Sequence, residues 1–371
     1  MTTKTRKRTK TRKVKKKVRP PMVRTSERSS WNTCRWAWNW GYNDRLKPIE
    51  ERPALKFGTL VHKALEVRYP VGKRRGPKPA QTFEKEYLKA CSEVEKQFGI
   101  QMRDEEEWVD ALELGIDMLE HYLEVYGRDE EWEVVASEMT FKVPVYSPEH
   151  PEGGYTNLKG ERIPKKVVLF YYVGTMDGVW RNRMSGSTCV NDYKTTANDP
   201  VKEALGKALL DEQATAYWTW GVDYLIEKNV LKPRHLESLD GMLYTMLRKS
   251  MRDDRPQNAQ GHYLNQNGEV SKRQPPAYFH RELIYRSETD REKARERATQ
   301  QAIEMAQARA GTLAIYKQPD TGSMGHCGWC GYREICELHE QDADWEALRD
   351  ATMTTWDPYA AHELREEGKA R

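Results

Sequence analysis

An acidic residue and a lysine in the middle of the chain have the types and spacing of a metal-dependent hydrolytic site. Asp192 and Lys194 lie two residues apart in the segment VNDYKTT. In an extended strand the side chains alternate, so these two share one face while Tyr193 points to the other. A carboxylate can hold a divalent cation, and an ammonium can stabilise charge that develops on phosphorus. Asp-x-Lys alone is weak evidence, because a solvated ion pair has the same pattern.

A second carboxylate strengthens this interpretation. Asp177 belongs to the segment GTMDGVW, which precedes VNDYKTT along the chain. Asp-Gly favours turns, but the intervening RNRMSG is the better turn candidate. We therefore expect Asp177 inside a strand, beside Asp192 across a hairpin. Two carboxylates on adjacent strands can share one metal ion.

Three further candidates lie in helical segments. His62 follows apolar residues in FGTLVHKALE, where the ordinary interpretation is a histidine satisfied in the core. As a ligand beside carboxylates, its imidazole would favour manganese alongside magnesium. Gln213 and Tyr217 share one helix face at i, i+4 spacing. They could contact a phosphate or the lysine, although Tyr217 also fits an ordinary core aromatic.

Three cysteines form a compact cluster in HCGWCGYREIC, namely Cys327, Cys330 and Cys336. Tetrahedral zinc and a cubane iron–sulfur cluster both require four ligands, and a zinc ribbon would bring a second Cys-x2-Cys pair. The remaining cysteines, each a candidate for the fourth ligand, are Cys34, Cys91 and Cys189. The last two fit small buried residues of a helix and a strand. His326 and His339 flank the cluster and could substitute as ligands.

Composition indicates a water-soluble protein of a reducing compartment. Six cysteines in 371 residues are few for a disulfide scaffold, which favours the cytoplasm. No apolar run approaches the roughly 20 residues that span a bilayer, and the basic start lacks the apolar segment of a secretory signal. Residues 1–20 contain 11 Lys or Arg and no acid, so the rest has a net charge of −7. Such an arm contacts nucleic acid through phosphates, or serves as a solubilising or localisation tail.

The pattern of apolar residues predicts an α/β protein. SERSSWNTCRWAWNWGY indicates a serine-capped helix, and residues 81–127 indicate two long amphipathic helices. EWEVVASEMTFKVPV, VVLFYYVGTMDGVW and STCVNDYKTT are typical of strands. A helix over 201–229, two strands in GMLYTMLRKS and YFHRELIYRS, and a charged helix over 288–310 follow. This order indicates an α/β core with a helical insertion and a metal-bound flap.

Taken in order, these segments resemble the RecB-like branch of the PD-(D/E)xK nuclease superfamily, and more closely the iron–sulfur exonucleases related to CRISPR-associated and AddB-type nucleases. The resemblance extends from about residue 26 to about residue 340. It rests on Ser29-Ser30…Cys34, GTLVHKALE, GTMDGVW, VNDYKTT, QATAYWTW and CGWCGYREIC. It implies a restriction-endonuclease-like core, in which a mixed central sheet is flanked by helices, with an N-terminal helical insertion and an iron–sulfur flap.

The resemblance also implies roles for individual residues. Glu138 matches an acidic position that often precedes this core, and Asp192 stands where many relatives have Glu. Residues 145–170 are longer and more polar than the family leads us to expect. The implied metal ligands for Mg²⁺ or Mn²⁺ are His62, Asp177, Asp192 and the Tyr193 carbonyl. The implied catalytic residues are Asp177, Asp192, Lys194, Gln213 and Tyr217. The implied ligands of a [4Fe–4S] cluster are Cys34, Cys327, Cys330 and Cys336, with zinc at the same ligands as the alternative.

The expected function is a metal-dependent DNA exonuclease that acts on single strands or DNA ends in recombination, repair or phage DNA processing. The alternatives are a catalytically silent DNA-binding or adaptor subunit and an enzyme directed at RNA. The chain has no Gly-rich Lys-Ser/Thr phosphate loop, so a partner would have to supply unwinding. We expect no membrane partner. The expected organisation is a basic arm over 1–25, a helical region over 26–130, the nuclease core over 131–315, the cysteine flap over 316–345 and a polar tail over 346–371.

Overall fold

The computed structural model of the chain describes residues 20–49, 53–98, 106–146, 154–156, 162–164, 168–322, 325–360 and 362. Most of the expected basic arm therefore lies outside the described residues. The end of the expected arm already belongs to the fold, because residues 22–23 form a strand and a helix begins at Thr25. Among the described residues, no helix combines the length and the apolar character that crossing a membrane would require.

The described elements alternate between helices and strands in an α/β arrangement. The strands are β1 (Met22–Val23), β2 (Leu46–Pro48), β3 (Trp132–Tyr146), β4 (Gly154–Thr156), β5 (Arg162–Pro164), β6 (Val168–Asn182), β7 (Thr188–Thr196), β8 (Leu239–Arg248), β9 (Phe279–Tyr285) and β10 (Met353–Thr355). The helices are α1 (Thr25–Thr33), α2 (Arg35–Trp38), α3 (Pro53–Arg68), α4 (Pro79–Phe98), α5 (Glu106–Tyr126), α6 (Pro200–Lys207), α7 (Glu212–Ala216), α8 (Val222–Glu227), α9 (Pro233–Leu236), α10 (Glu288–Arg309), α11 (Arg333–Glu340) and α12 (Trp345–Thr352).

A mixed sheet forms the centre of the molecule. Its hydrogen-bonded strand order is β1-β6-β7-β8-β9. The strand β3 lies off this path and pairs with β6. The pairs β3–β6, β6–β7 and β8–β9 are antiparallel, whereas β1–β6 and β7–β8 are parallel. The parallel step from β7 to β8 requires a crossover, which α6 to α9 supply. The sheet is the mixed central sheet that the sequence predicts.

Helices cover both faces of this sheet. On one face α3, α4 and α5 bury a core that includes Phe83, Leu119 and Tyr193. On the other face α1, α7, α8 and α10 bury a second core, in which the ring of Trp220 stacks on that of Tyr172 with centroids 3.7 Å apart. The helix α10 lies close to its neighbours because its buried stripe is built mainly from alanines at four-residue spacing.

The predicted serine-capped helix near the start is wrong in detail. No side chain caps α1, whose N-cap residue is Arg24. The helix breaks at Cys34, which has an extended backbone, and the chain resumes as α2 and a π-helical turn over Asn39–Asn43. The aromatic residues of this segment predict one continuous helix, but the extended backbone at Cys34 interrupts it. Tertiary contacts have overridden the local propensity.

Two other segments differ from their predictions. The predicted helix over 201–229 is divided by a 3₁₀ turn at Ala208–Leu210 and a π-helical turn at Tyr217–Gly221. The expected polar tail over 346–371 begins as α12 and β10, and β10 pairs with β2 near the start of the chain. Within the unassigned stretch 145–170, the described residues include β4 and β5, which pair as a small separate sheet.

The helix α5 offers a test of the packing. A Cβ at Gly115 would lie 2.0 Å from Cε1 of Phe83, a fully buried ring. We expect Gly115→Ala to lower the free energy of unfolding by about 1–3 kcal/mol, because a buried ring must move out of its position. The matched control is Gly206→Ala in α6, where the new Cβ meets nothing within 4 Å. It should be neutral or raise stability by about 0.5–1 kcal/mol. Denaturant unfolding measures both, and equal effects of the two substitutions would contradict the packing described.

Candidate active site

The hairpin of β6 and β7 brings two carboxylates to neighbouring positions. Residues 183–187 form the turn, where Asn182 Oδ1 accepts hydrogen bonds from the amides of Met184 and Ser185. The resulting register places Gly178 opposite Asn191. Asp177 and Asp192, the next residues along each strand, are therefore adjacent, as the sequence predicts.

Asp177 is held by one contact from a helix and one from the neighbouring strand. Its Oδ1 lies 3.0 Å from His62 Nδ1 on α3. Its Oδ2 accepts a 2.7 Å hydrogen bond from the backbone amide of Tyr193. The side chain of His62 is 31% exposed, so this imidazole stands between the buried carboxylate and solvent.

Asp192 and Lys194 form an ion pair on one face of β7. The side chain of Asp192 is 1% exposed, and its Oδ2 lies 3.2 Å from Lys194 Nζ. The same ammonium lies 3.6 Å from Asp211 Oδ2 and donates to Gln213 Oε1 at 2.5 Å. The predicted alternation along β7 is confirmed, since Asp192 and Lys194 share a face while Tyr193 packs on the opposite side.

Mutual repulsion and burial set the protonation behaviour of these groups. Burial, together with the negative charges of Asp177 and Asp211, raises the pKa of Asp192 despite the nearby Lys194. Burial opposes ionisation of Asp177 too, but its contact with His62 and the Tyr193 amide leaves its pKa below the usual value. Burial would lower the pKa of Lys194, yet the surrounding carboxylates raise it, so the ammonium stays charged.

The helix α7 and its N-cap position two groups that contact Lys194. Asp211 is its N-cap, and its carboxylate accepts hydrogen bonds from the amides of Gln213 at 2.8 Å and Ala214 at 3.2 Å. Gln213 Nε2 donates to the hydroxyl of Tyr217 at 2.6 Å. The predicted i, i+4 pair of Gln213 and Tyr217 therefore exists, and it fixes the amide so that its oxygen faces Lys194.

Glu138 approaches the site from β3 with an unusual backbone. It lies between Ser137, which pairs with Gly178, and Met139, which pairs with Met176, so it stands opposite Asp177. Its φ angle is 43°, in the left-handed region that L residues with a side chain rarely adopt. Glu138 lines the same cavity as His62 and Asp177. Strained residues of this kind concentrate at functional sites.

His62, Glu138, Asp177, Asp211 and Gln213 line one cleft of about 1710 Å³, counted to its mouth. Its floor includes His62, Asp177 and Gln213. Its walls carry hydroxyl and basic side chains from the start of α1 and from α3, which include Arg24, Thr25, Ser26, Ser29, Thr59 and Lys63. The same lining also carries acidic side chains, including Glu66, Asp211 and Glu212, so basic and acidic groups both face the open cleft.

Comparison with known proteins accords with this geometry. A family model of the PD-(D/E)XK nuclease superfamily matches residues 26–337. The chain belongs to the PD-(D/E)XK nuclease superfamily. Membership implies a nuclease that acts on DNA and uses Mg²⁺ or Mn²⁺, and the helix-flanked mixed sheet fits a restriction-endonuclease-like fold. No curated protein matches the chain.

The donor set of this nuclease fits a hard divalent cation. Two carboxylates and an imidazole, contributed by Asp177, Asp192 and His62, are suitable ligands for Mg²⁺ or Mn²⁺. Within the described part of the chain, no three His, Cys, Asp or Glu side chains are grouped so as to hold one metal ion. The carboxylate oxygens of Asp177 instead contact His62 and the Tyr193 amide, and an oxygen of Asp192 contacts Lys194. A cation bound there would replace the contact between His62 and Asp177.

The cysteines of this nuclease converge elsewhere in the fold. Cys34, Cys327, Cys330 and Cys336 line one cavity of about 870 Å³, counted to its mouth. Cys34 is 8% exposed and sits at the break between α1 and α2. Cys327 Sγ accepts a 3.3 Å hydrogen bond from the amide of Asp320. The four residues predicted to act together therefore line one cavity, but among the described residues no three of their thiols are grouped closely enough to hold one metal ion.

The other cysteines and the two flanking histidines lie in different surroundings. Cys91 and Cys189 are buried in the core on the α3–α5 face. His326 Nε2 contacts the carbonyl of Gln318 at 2.8 Å. The ring of His339 packs edge-on against Trp36, with centroids 4.4 Å apart. Both histidines therefore have partners in the protein other than the cysteines.

Sequence reasoning missed Asp211, which lies within reach of the lysine. Its contact with Lys194 Nζ makes it the second carboxylate beside that ammonium. A signal was available, because Asp immediately before a helical segment is a favoured N-cap. The contact itself joins residues 17 positions apart on different elements. The local sequence pattern around either residue does not predict such a pairing.

The carboxylates predict a cation site that can be tested without substrate. We expect wild-type protein to bind Mn²⁺ in an isothermal titration, and Asp177→Asn and Asp192→Asn each to weaken binding by about 10- to 100-fold, since each removes a charged ligand. The matched control is Asp350→Asn, an exposed carboxylate paired with Arg349, which should leave the titration unchanged. Binding that survives both site substitutions would place the cation elsewhere.

Proposed function

We propose that this protein is a metal-dependent DNA exonuclease of the RecB-like, iron–sulfur branch, which hydrolyses phosphodiester bonds at DNA ends and prefers single strands. One observation carries the proposal. The ammonium of Lys194 is fixed between Asp192 and Gln213, and Gln213 and Asp177 line an open cleft. A hydrolytic site for phosphodiesters requires that combination of carboxylates and a cationic side chain.

The side chains of His62, Asp177 and Asp192, with the carbonyl of Tyr193, are the proposed ligands of Mg²⁺ or Mn²⁺. When bound there, the cation would supply an activated water and would neutralise charge on the phosphoryl group. Glu138, opposite Asp177, adds a further carboxylate at the edge of the same cavity. The backbone amide of Tyr193 keeps Asp177 oriented toward the site, since it donates to Oδ2.

Lys194 is the proposed electrostatic stabiliser of the reacting phosphate. Its raised pKa keeps the ammonium charged across the neutral range, despite burial that by itself would lower it. Gln213 and Tyr217 restrict where that ammonium can lie, because the tyrosine hydroxyl holds the amide by its nitrogen. A fixed donor needs no rearrangement when charge develops, and this preorganisation is the main source of its catalytic effect.

The cleft walls support a substrate that is held by its backbone. Hydroxyl and basic side chains such as Ser26, Ser29 and Lys63 can donate to phosphate oxygens, and such contacts position nucleic acid without reading its sequence. Among the described residues that line the cleft, Tyr217 is the one Phe, Trp or Tyr, and its ring is buried. The single-strand preference therefore rests on the family resemblance and not on an exposed ring on which bases could stack. The basic residues of the arm add non-specific affinity.

The cysteine cavity is the proposed site of a [4Fe–4S] cluster. Four cysteines line one cavity, and the hydrogen bond from the Asp320 amide to Cys327 is of the kind that stabilises cluster sulfurs. Zinc at the same four cysteines is the alternative. Held there, the cluster would join α1 to the segment that follows α10. Its proposed role is structural.

The biological setting follows from these features. Free cysteines at all six positions suit a reducing cytoplasm. A nuclease of this architecture belongs in recombination, repair or phage DNA processing, with unwinding supplied by a helicase partner. The rival function, a silent DNA-binding subunit, is disfavoured because His62, Asp177, Asp192 and Lys194 are all present and in contact.

Cleavage assays separate these functions. End-labelled single- and double-stranded DNA and RNA are incubated with pure protein and Mg²⁺ or Mn²⁺, and we expect single-stranded DNA to be shortened from its ends. Lys194→Ala should reduce the rate by about 10²- to 10³-fold while DNA binding in a gel-shift assay stays within about twofold, because a preorganised donor is lost. Lys228→Ala, which removes an exposed lysine, is the control. Full activity of Lys194→Ala would refute the assigned role, and binding without cleavage by the wild type would establish the silent subunit.

Metal content tests the cysteine assignment. Anaerobically purified wild-type protein should contain iron and acid-labile sulfide in equal amounts, and Cys34→Ala should lose most of both. Cys91→Ala removes a buried cysteine outside the cavity, so it should retain them. Zinc without iron in the wild type would favour the zinc alternative. A full iron complement in Cys34→Ala would show that Cys34 is not a ligand.

A further inference from the structure

One buried arginine connects the first helix to the active site. Arg28 on α1 is 2% exposed, and its guanidinium donates to three side chains. Nε donates to Gln301 Oε1 at 2.6 Å, Nη1 to the hydroxyl of Tyr172 at 3.0 Å, and Nη2 to Glu212 Oε2 at 2.9 Å. Burial would lower its pKa, but the interactions with Tyr172 and Glu212 raise it, so the group is a permanent cation inside the protein.

Glu212 is the acceptor that matters for the site. It is the first residue of α7 and stands between Asp211 and Gln213. The residues on either side both contact the ammonium of Lys194, one through its carboxylate and the other through its amide oxygen. A displacement of Glu212 therefore shifts two partners of the lysine at once, because a short helix moves as a unit.

We propose that Arg28 is a positioning residue of the nuclease site, which fixes α7 through Glu212 so that Asp211 and Gln213 hold Lys194 in its reactive position. This inference rests on the proposed function of Lys194. Arg28 itself does not contact the reacting atoms. It acts on the rate through the placement of another residue.

A guanidinium is required for this role. Its planar fork directs separate N–H groups at three acceptors in fixed directions, whereas a lysine ammonium is a single point on a flexible chain. Arg28→Lys preserves the buried charge but cannot reach Gln301, Tyr172 and Glu212 together. The substitution should therefore loosen α7 without removing the positive charge that balances Glu212.

The same carboxylate provides a matched control. Arg297 Nη2 donates to Glu212 Oε1 at 2.9 Å, but this arginine is 47% exposed on α10. Solvent can replace that contact, and exposed ion pairs contribute little. Arg297→Lys should leave the position of α7 unchanged, although it alters the same acceptor by the same substitution.

Kinetics and hydrogen exchange test the proposal together. Arg28→Lys should lower kcat by about 100-fold with KM within about twofold, because a small misplacement of a catalytic group has that effect. It should also accelerate amide exchange in residues 211–217 while exchange in α4 and α5 stays at wild-type rates. Arg297→Lys should change neither quantity. Uniformly faster exchange, or wild-type kinetics with unchanged exchange, would overturn the proposal.

Coupling to Gln213 distinguishes positioning from general support. In a Gln213→Ala background the lysine has lost one of the two partners that α7 positions, so adding Arg28→Lys should reduce kcat by a smaller factor than it does in the wild type. Independent losses that multiply would show that Arg28 acts by another route.

A second variant guards against a folding defect. Glu212→Gln keeps an amide oxygen that accepts from Arg28, and we expect it to retain at least a third of the wild-type kcat. If Glu212→Gln is as impaired as Arg28→Lys, the contact is not what positions α7. Absence of nuclease activity in the wild type would refute the proposed function, whereas the local exchange result would still decide whether Arg28 fixes α7.

Discussion

The close approach of two buried carboxylates is the constraint on which this structure depends. The hairpin register sets Asp177 beside Asp192, and burial makes their shared negative charge costly. His62 approaches one of them from α3, and Lys194 approaches the other along β7. One basic group therefore lies beside each carboxylate, while Asp211 and Gln213 at the start of α7 hold the lysine from its other side.

Much of the core could be predicted because its information is local. The alternation in VNDYKTT places Asp192 and Lys194 on one face of a strand, and RNRMSG marks the turn that returns the chain to it. Helical spacing likewise placed Gln213 and Tyr217 together. Each of these inferences uses residues only a few positions apart, where backbone geometry leaves few alternatives.

Other features depend on contacts that sequence pattern does not contain. Arg28 and Glu212 are 184 positions apart, and their pairing requires α1 and α7 to lie on the same face of the sheet. The break at Cys34 interrupts an apparently continuous helix, and the π-helical turn at Tyr217–Gly221 lies inside another. The strand β10 was not predicted, and its segment was assigned to a polar tail, because its partner β2 lies near the start of the chain.

The separation between Cys34 and its three companion cysteines has a consequence for biosynthesis. A ribosome adds roughly 5–20 residues per second, so Cys34 is synthesised some tens of seconds before Cys327. The central-sheet strands β3 and β6 to β9 are all synthesised within that interval. The thiol of Cys34 must therefore wait, within a nascent chain that is already able to fold, until the last segment closes the cavity.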